Sequence, residues 1–148
     1  MATLVIVCGL PGSGKTTLAR ELEAQLGAVR MCPDDWMETL GLDLYDELSR
    51  ERVEQMQWTL GQKLLALGVS VIIEWGTWGR DERDRLRLGA RSLGARVELR
   101  YLDAPDEVLF ERIQLRGREN PPIAWEDVLS WRGRIEVPSS EEYLLFDN

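Results

Sequence analysis

The feature that most constrains this chain is the segment Gly9-Leu10-Pro11-Gly12-Ser13-Gly14-Lys15-Thr16, set directly after an apolar run and directly before a helical pattern. It satisfies G-x-x-x-x-G-K-[ST] in the context that gives the motif its meaning. Glycines let the backbone turn its N–H groups inward around an anion, and the helix that follows adds unpaired donors and the positive end of its dipole. Lys15 is placed to reach β- and γ-phosphates and Thr16 to ligate magnesium. Gly9, Pro11, Gly12, Ser13, Gly14 and Thr17 complete the expected nucleotide-binding set. The competing reading is a glycine turn that merely joins a strand to a helix. Guanine specificity would call for an Asn-Lys-x-Asp segment after a later strand, and none is present, which favours ATP.

Strand and helix patterns alternate along the rest of the chain. Thr3 to Cys8 is a continuous β-branched run, as expected of a strand covered on both faces. Leu18, Ala19, Leu22 and Leu26 recur at helical spacing until Gly27. Ala28 to Cys32 predicts a short second strand, Asp46 to Leu67 a long helix, Val69 to Ile73 a third strand closed by Glu74, and Gly79 to Leu93 an arginine-rich helix. Arg96 to Leu102 predicts a fourth strand, with Asp103 as the cap of a helix running to about Arg116, and Tyr143 to Phe146 a fifth strand. The pattern predicts an α/β fold in one domain over residues 1–148, a parallel sheet of about five strands with helices on both faces. Ligands in such sheets bind beyond the carboxyl ends of the strands, which is where each motif here falls.

Composition narrows the chemistry. With 148 residues and 44% hydrophobic content the chain can bury one sizeable core, and no apolar run is long enough to span a membrane. A soluble, cytoplasmic protein is expected. No histidine is present, so proton transfer must use carboxylates or water. Cys8 and Cys32 read as small buried hydrophobes at strand ends. A net charge of -8 argues against a long polyanion as partner.

Asp34 and Asp35 follow the second strand. A carboxylate there can orient an acceptor hydroxyl and take its proton; equally, both can be caps of the next helix. Glu74 stands where a magnesium-assisting or acceptor-holding acid belongs, or is an ordinary strand end. Trp36, Trp75 and Trp78 can wall an acceptor pocket or serve local packing. Arg112 and Arg116 lie one helical turn apart, followed by Arg118, and can close over phosphates or form a solvated face. Asp81, Glu82, Arg83, Asp84, Arg85 and Arg87 read as surface charge, with Asp81 and Arg85 an i,i+4 pair.

With these residues placed, the chain resembles the predicted-kinase branch of the P-loop kinases, an AAA_33-like group related to polynucleotide kinase, zeta toxin and chloramphenicol phosphotransferase. The resemblance runs from Leu4 to about Glu142. It rests on the phosphate loop, Cys32-Pro33-Asp34-Asp35-Trp36, Val71-Ile72-Ile73-Glu74-Trp75-Gly76-Thr77-Trp78, Tyr101-Leu102-Asp103-Ala104-Pro105 and the Arg112/Arg116 spacing. It implies the three-layer P-loop NTPase fold of nucleoside and nucleotide kinases, with Asp34 as general base, Asp35 second to it, and Arg116 or Arg112 as the lid arginine. Two departures stand out. Polynucleotide kinases carry an arginine three residues after the base, where this chain has Met37, and many relatives have aspartate in place of Glu74.

The expected function is transfer of the γ-phosphate of ATP, with magnesium, to a hydroxyl of a small molecule. Asp34, Lys15 and Arg116 are the expected catalytic residues, Thr16 and Glu74 the metal ligands, and Asp35, Trp36, Glu74, Trp75 and Trp78 the acceptor contacts. Two alternatives stay open: a 5'-hydroxyl polynucleotide or nucleoside kinase, and an ATP-binding switch or slow ATPase read by a protein partner. No heptad seam or other self-association signature stands out, and a monomer is expected.

Overall fold

The run Thr3–Cys8 becomes β1, and its alternate side chains enter two different cores. Leu4, Ile6 and Cys8 face a large cluster that also holds Val71, Ile73, Val97, Leu99, Leu86, Leu109 and Ile113, whereas Val5 and Val7 face a small one with Ala19, Leu22 and Ile72. A strand buried on both faces has no solvent side, which is why its sequence is continuously apolar. In the computed structural model all residues 1–148 are described, and β1 is flanked on both sides by parallel partners.

The elements in chain order are β1 (Thr3–Cys8), α1 (Lys15–Leu26), β2 (Val29–Met31), α2 (Pro33–Thr39), α3 (Glu47–Ala66), β3 (Val71–Gly76), α4 (Arg80–Ser92), β4 (Arg96–Tyr101), α5 (Asp106–Arg116), α6 (Trp125–Arg134) and α7 (Ser140–Tyr143). The sheet is fully parallel in the order β2-β3-β1-β4, with Leu4 opposite Val71 on one side and Val97 on the other. The carboxyl ends of β1, β2 and β3 therefore open along one edge, where the chain passes into the phosphate loop, α2 and the Trp75–Gly79 turn.

Two expectations about elements are corrected. The sheet has four strands, because Tyr143–Phe146 does not join it. Ser139 accepts from the Glu142 N–H at 3.1 Å and starts α7, which turns Glu142 inward onto Arg83. Beside β4 the last two residues act instead: Asp147 accepts from the Val97 N–H at 2.8 Å, and the Asn148 side chain accepts from the Leu99 N–H at 2.9 Å. They blunt what would otherwise be a bare sheet edge. Asp103 does not cap α5, whose first flanking residue is Pro105; its carboxylate accepts from the Ala104 N–H and pairs with Arg132 at 2.6 Å.

The charges of α4 are also corrected. The i,i+4 pair is Arg80–Asp84 at 3.0 Å, and Arg83 is 1% exposed rather than on the surface. Its guanidinium donates from Nε to Glu142 Oε2 at 2.7 Å, from Nη2 to Glu142 Oε1 at 2.9 Å, and from Nη1 to the Thr77 carbonyl at 2.8 Å. A buried charge tolerates such a place only when its donors are met this fully. The pair fastens the C-terminal segment to the back of the phosphate loop.

Candidate nucleotide and acceptor site

The phosphate loop is held open by close backbone approaches. Gly12 has φ +83°, and a Cβ there would lie 2.7 Å from the Leu109 carbonyl of α5; at Gly9 a Cβ would lie 2.7 Å from the Leu102 carbonyl. Neither position accommodates a side chain, so the motif's glycines are required by α5 and by the end of β4 as well as by the anion. Gly14, also left-handed, precedes α1 with no side-chain cap, and no acidic residue occupies that helix's first turn. Its free N–H groups and dipole end face the loop interior.

Lys15 folds back over the loop and donates to the carbonyls of Gly9 at 2.9 Å and Leu10 at 3.1 Å. Burial pushes its ammonium down to about 8, against the raising influence of Glu74 and Asp34 and with Arg116 lowering it further. The lysine thus senses Asp34, Glu74 and Arg116 together, three residues separated in sequence. Arg112 donates from Nη1 to the Gly12 carbonyl at 3.0 Å, and Arg116 pairs with Glu119 at 3.0 Å. Ser13 Oγ is buried without a hydrogen-bond partner.

Asp34 and Asp35 lie in the first turn of α2, behind Pro33 at its start, and the residue flanking the helix is Cys32; neither aspartate is a cap. Asp34 Oδ1 lies 2.7 Å from Arg50 Nη2 of α3 but outside hydrogen-bond geometry, and Asp34 Oδ2 lies 4.0 Å from Arg118 Nη1. Asp35 is the more heavily engaged: it pairs with Arg30 of β2 and accepts from Arg118 Nη2 at 2.7 Å. Burial opposes its ionisation, yet the Arg118 and Arg30 hydrogen bonds outweigh that and hold its carboxyl below the usual range. Arg30 also binds Glu74 Oε2 at 2.7 Å, leaving Glu74 Oε1 buried without a partner. Arg118 pairs with Glu38 too, so the stretch after α5 is tied to α2 across the cleft. Met37 is fully buried in α2.

The tryptophans separate. Trp36 packs partly buried against the main core. Trp75 donates from Nε1 to Gln57 Oε1 at 2.8 Å, joining the end of β3 to α3. Trp78 lies under the phosphate loop, donating from Nε1 to the Gly9 carbonyl at 3.3 Å, with its ring tilted 51° against that of Trp131 at 6.2 Å between centres. Both cysteines are buried and free, and burial first, then Glu74, pushes the Cys32 thiol up to about 12. Arg30, Arg50 and Gln57 carried no motif signal; a charged residue in the middle of the three-residue strand Val29–Met31 was the one clue to Arg30.

The model of a family described as an AAA domain (AAA_33) matches residues 4–136. The chain belongs to that family. It is 31% identical to a UPF0200 protein of Thermococcus kodakarensis, over 98% of this chain and 88% of that one. Among solved structures, a kinase-like protein of Chloroflexus aurantiacus superposes with TM-score 0.76 at 24% identity, covering 93% of this chain and 82% of that one. Kti12 of Chaetomium thermophilum, solved in complex with ADP-AlF3, superposes with TM-score 0.70 at 22% identity, again over 93% and 82%. The fold is that of the P-loop kinases, a nucleotide-binding fold. No helix is long and apolar enough to cross a membrane.

Proposed function

We propose that this single P-loop domain is a magnesium-dependent phosphotransferase that moves the γ-phosphate of ATP to a hydroxyl of a small molecule. One observation carries the reading: Asp34 lies in the first turn of α2, beyond the carboxyl end of β2, on the same edge of the sheet as the phosphate loop after β1 with β3 between them, and its carboxylate is among the charges that favour protonated Lys15. In such a site the acceptor oxygen bonds to the γ-phosphorus as the bond to the β–γ bridging oxygen breaks. ADP leaves with that electron pair, and Asp34 takes the acceptor's proton and later releases it to water. Lys15 and Arg116 stabilise charge on the transferring oxygens, and Arg112 holds the loop from α5. Asp35, tied to two arginines, fixes α2 and is the weaker base.

The donor set suits magnesium held largely by phosphate and water: the Thr16 hydroxyl at the start of α1 and the free buried Oε1 of Glu74, with no cage of three His, Cys, Asp or Glu side chains. Bound there, the ion would neutralise charge on the β- and γ-phosphates.

A second reading is favoured by one feature. Arg50 and Arg118 flank Asp34 although Met37 does not, so an acceptor that carries its own phosphate, such as a 5'-hydroxyl nucleotide, would meet guanidinium groups. The test is transfer of labelled γ-phosphate with magnesium into sugars, nucleosides, amino sugars and a 5'-hydroxyl oligonucleotide, assayed separately. Label in a small-molecule class is expected. Label in the oligonucleotide alone moves the assignment to the second reading, and nucleotide binding without transfer to any of them overturns both.

A further inference from the structure

Beside Asp34 the fold holds two carboxylates that nothing in the chain pairs. Arg50, Glu54 and Gln57 recur on α3 at i, i+4 and i+7 and therefore share one face. Both ends of that face are pinned to the acceptor side: Arg50 lies 2.7 Å from Asp34, and Gln57 Oε1 accepts from Trp75 Nε1 of β3 at 2.8 Å. Glu54, between them, is set over the same side. Glu82 comes from the first turn of α4, just beyond the turn that follows β3, and its charge acts on Glu54.

Glu54 and Glu82 are both half-buried, and neither has a hydrogen-bond or ion-pair partner. Arg50, one turn before Glu54, is turned to Asp34 and to the Leu44 carbonyl at 3.0 Å. Burial first, then the charge of Glu82, pushes the Glu54 carboxyl up to about 7; Arg50 lowers it, and Glu51 and Asp34 raise it further. Burial also pushes Glu82 up, against Arg85 and Arg83. Carboxylates withdrawn from water are ordinarily paired, so this couple costs the fold stability without serving it. A third group points the same way. Gln57 is fully buried, and with its Oε1 fixed by Trp75 its Nε2, one turn along α3 from Glu54, has no acceptor. Unpaired groups gathered on one wall mark a ligand with complementary ones. The guanidinium groups nearby are already matched by Asp34, Asp35, Glu38 and Glu74, so the charge left over is negative. A metal ion is a poor counterpart, because no three His, Cys, Asp or Glu side chains converge to hold one.

We propose that the acceptor is an amino sugar or amino polyol, its ammonium held between Glu54 and Glu82 and one hydroxyl presented to Asp34. A further hydroxyl oxygen of such a molecule can take the Gln57 Nε2 proton that has no acceptor. The inference names the acceptor class within the phosphotransferase reading and rests on it. The bonds made and broken are those of that transfer, with Asp34 receiving the hydroxyl proton; the ammonium keeps its protons and serves only to hold and orient the acceptor.

The test uses pairs that differ only in the amine, glucosamine against glucose and 1-amino-1-deoxysorbitol against sorbitol. Each is assayed for transfer of labelled γ-phosphate from Mg·ATP, and for binding to the Mg·ADP complex through the resonance of the Trp75 indole N–H, which sits on Gln57. The amine of each pair should be favoured about tenfold or more in kcat/KM and should shift the indole at lower concentration. Glu54→Gln and Glu82→Gln should each raise KM for the amine about 10–100-fold, the scale of one lost charge partner. Glu54→Gln should also raise the unfolding midpoint without acceptor by about 2–4 °C, because it removes one of two like charges. Equal or better use of the neutral partners overturns the amine and leaves the phosphotransferase standing. A midpoint that falls in Glu54→Gln assigns that carboxylate to the fold and overturns the inference too. If none of the four is phosphorylated, an indole shifted by the amines alone supports the pocket and overturns the transfer reading, whereas an indole indifferent to the amine overturns the pocket.

Discussion

The two sides of the sheet's carboxyl edge are made from different materials. On the nucleotide side the working groups are mostly backbone: the inward N–H groups of the loop, the open start of α1, and glycines pressed against Leu102 and Leu109. On the acceptor side they are side-chain charges gathered from β2, α2, α3, β3 and the stretch after α5, with Arg30, Arg50 and Arg118 holding Asp34, Asp35, Glu38 and Glu74. The backbone side needs its residues consecutive in sequence. The charged side needs them only close in space, and it can be rearranged by a few substitutions while the loop stays fixed.

The same contrast separates two arginines that bridge distant segments. Arg83 is 1% exposed and bound to an equally buried carboxylate, so Arg83→Met leaves Glu142 with only the more distant Arg80 at 3.9 Å and should cost about 3–5 kcal/mol in denaturant unfolding. Arg83→Met with Glu142→Leu should recover most of that loss; no recovery would mean the pair is not what anchors the C-terminal segment. Lys15→Met should leave the fold standing but lower turnover by about 10²–10³-fold, the scale of one lost transition-state donor. Arg118 pairs with half-exposed partners, so Arg118→Met should change stability by about 1 kcal/mol or less. Its effect should appear in the acceptor KM, and an unchanged KM would detach the stretch after α5 from the acceptor side.

The smallest effect is a pH dependence peculiar to the nucleotide side. Lys15 in the loop has its pKa lowered to about 8, chiefly by burial. Phosphates favour its protonated form, so binding at or above that pH takes up a proton and affinity falls as pH rises through 8. Folding behaves oppositely: the unfolded chain holds this proton more tightly, so Lys15 contributes rising stability between pH 8 and its ordinary value of 10.5. Calorimetry in buffers of different ionisation enthalpy should show proton uptake, absent in Lys15→Met.

What the sequence disclosed follows the same division. The loop, the four sheet strands and helices α1, α3, α4 and α5 were legible because each is a local pattern, but the third strand was expected to close at Glu74 and instead runs on to Gly76, since Trp75 and Gly76 continue its pairing. Arg83 read as surface charge because five charged neighbours surround it in sequence, and only the fold shows which of them faces inward. The partners of Arg118 lie some 80 residues away in α2, a pairing no local pattern carries. Tyr143–Phe146 has strand-forming side chains, but Ser139 starts α7 (Ser140–Tyr143), Arg83 holds its Glu142, and Leu144–Phe146 follow it as turns instead of joining the sheet.

The central claim is that the two sides do separate jobs, the loop holding nucleotide and Asp34 serving the acceptor. It is tested most directly by measuring ATP affinity and single-turnover γ-phosphate transfer on the same preparations of the unaltered protein and Asp34→Asn. Transfer should fall about 10²–10⁴-fold with ATP affinity nearly intact. Transfer retained in Asp34→Asn, or transfer and affinity lost together, would contradict the account.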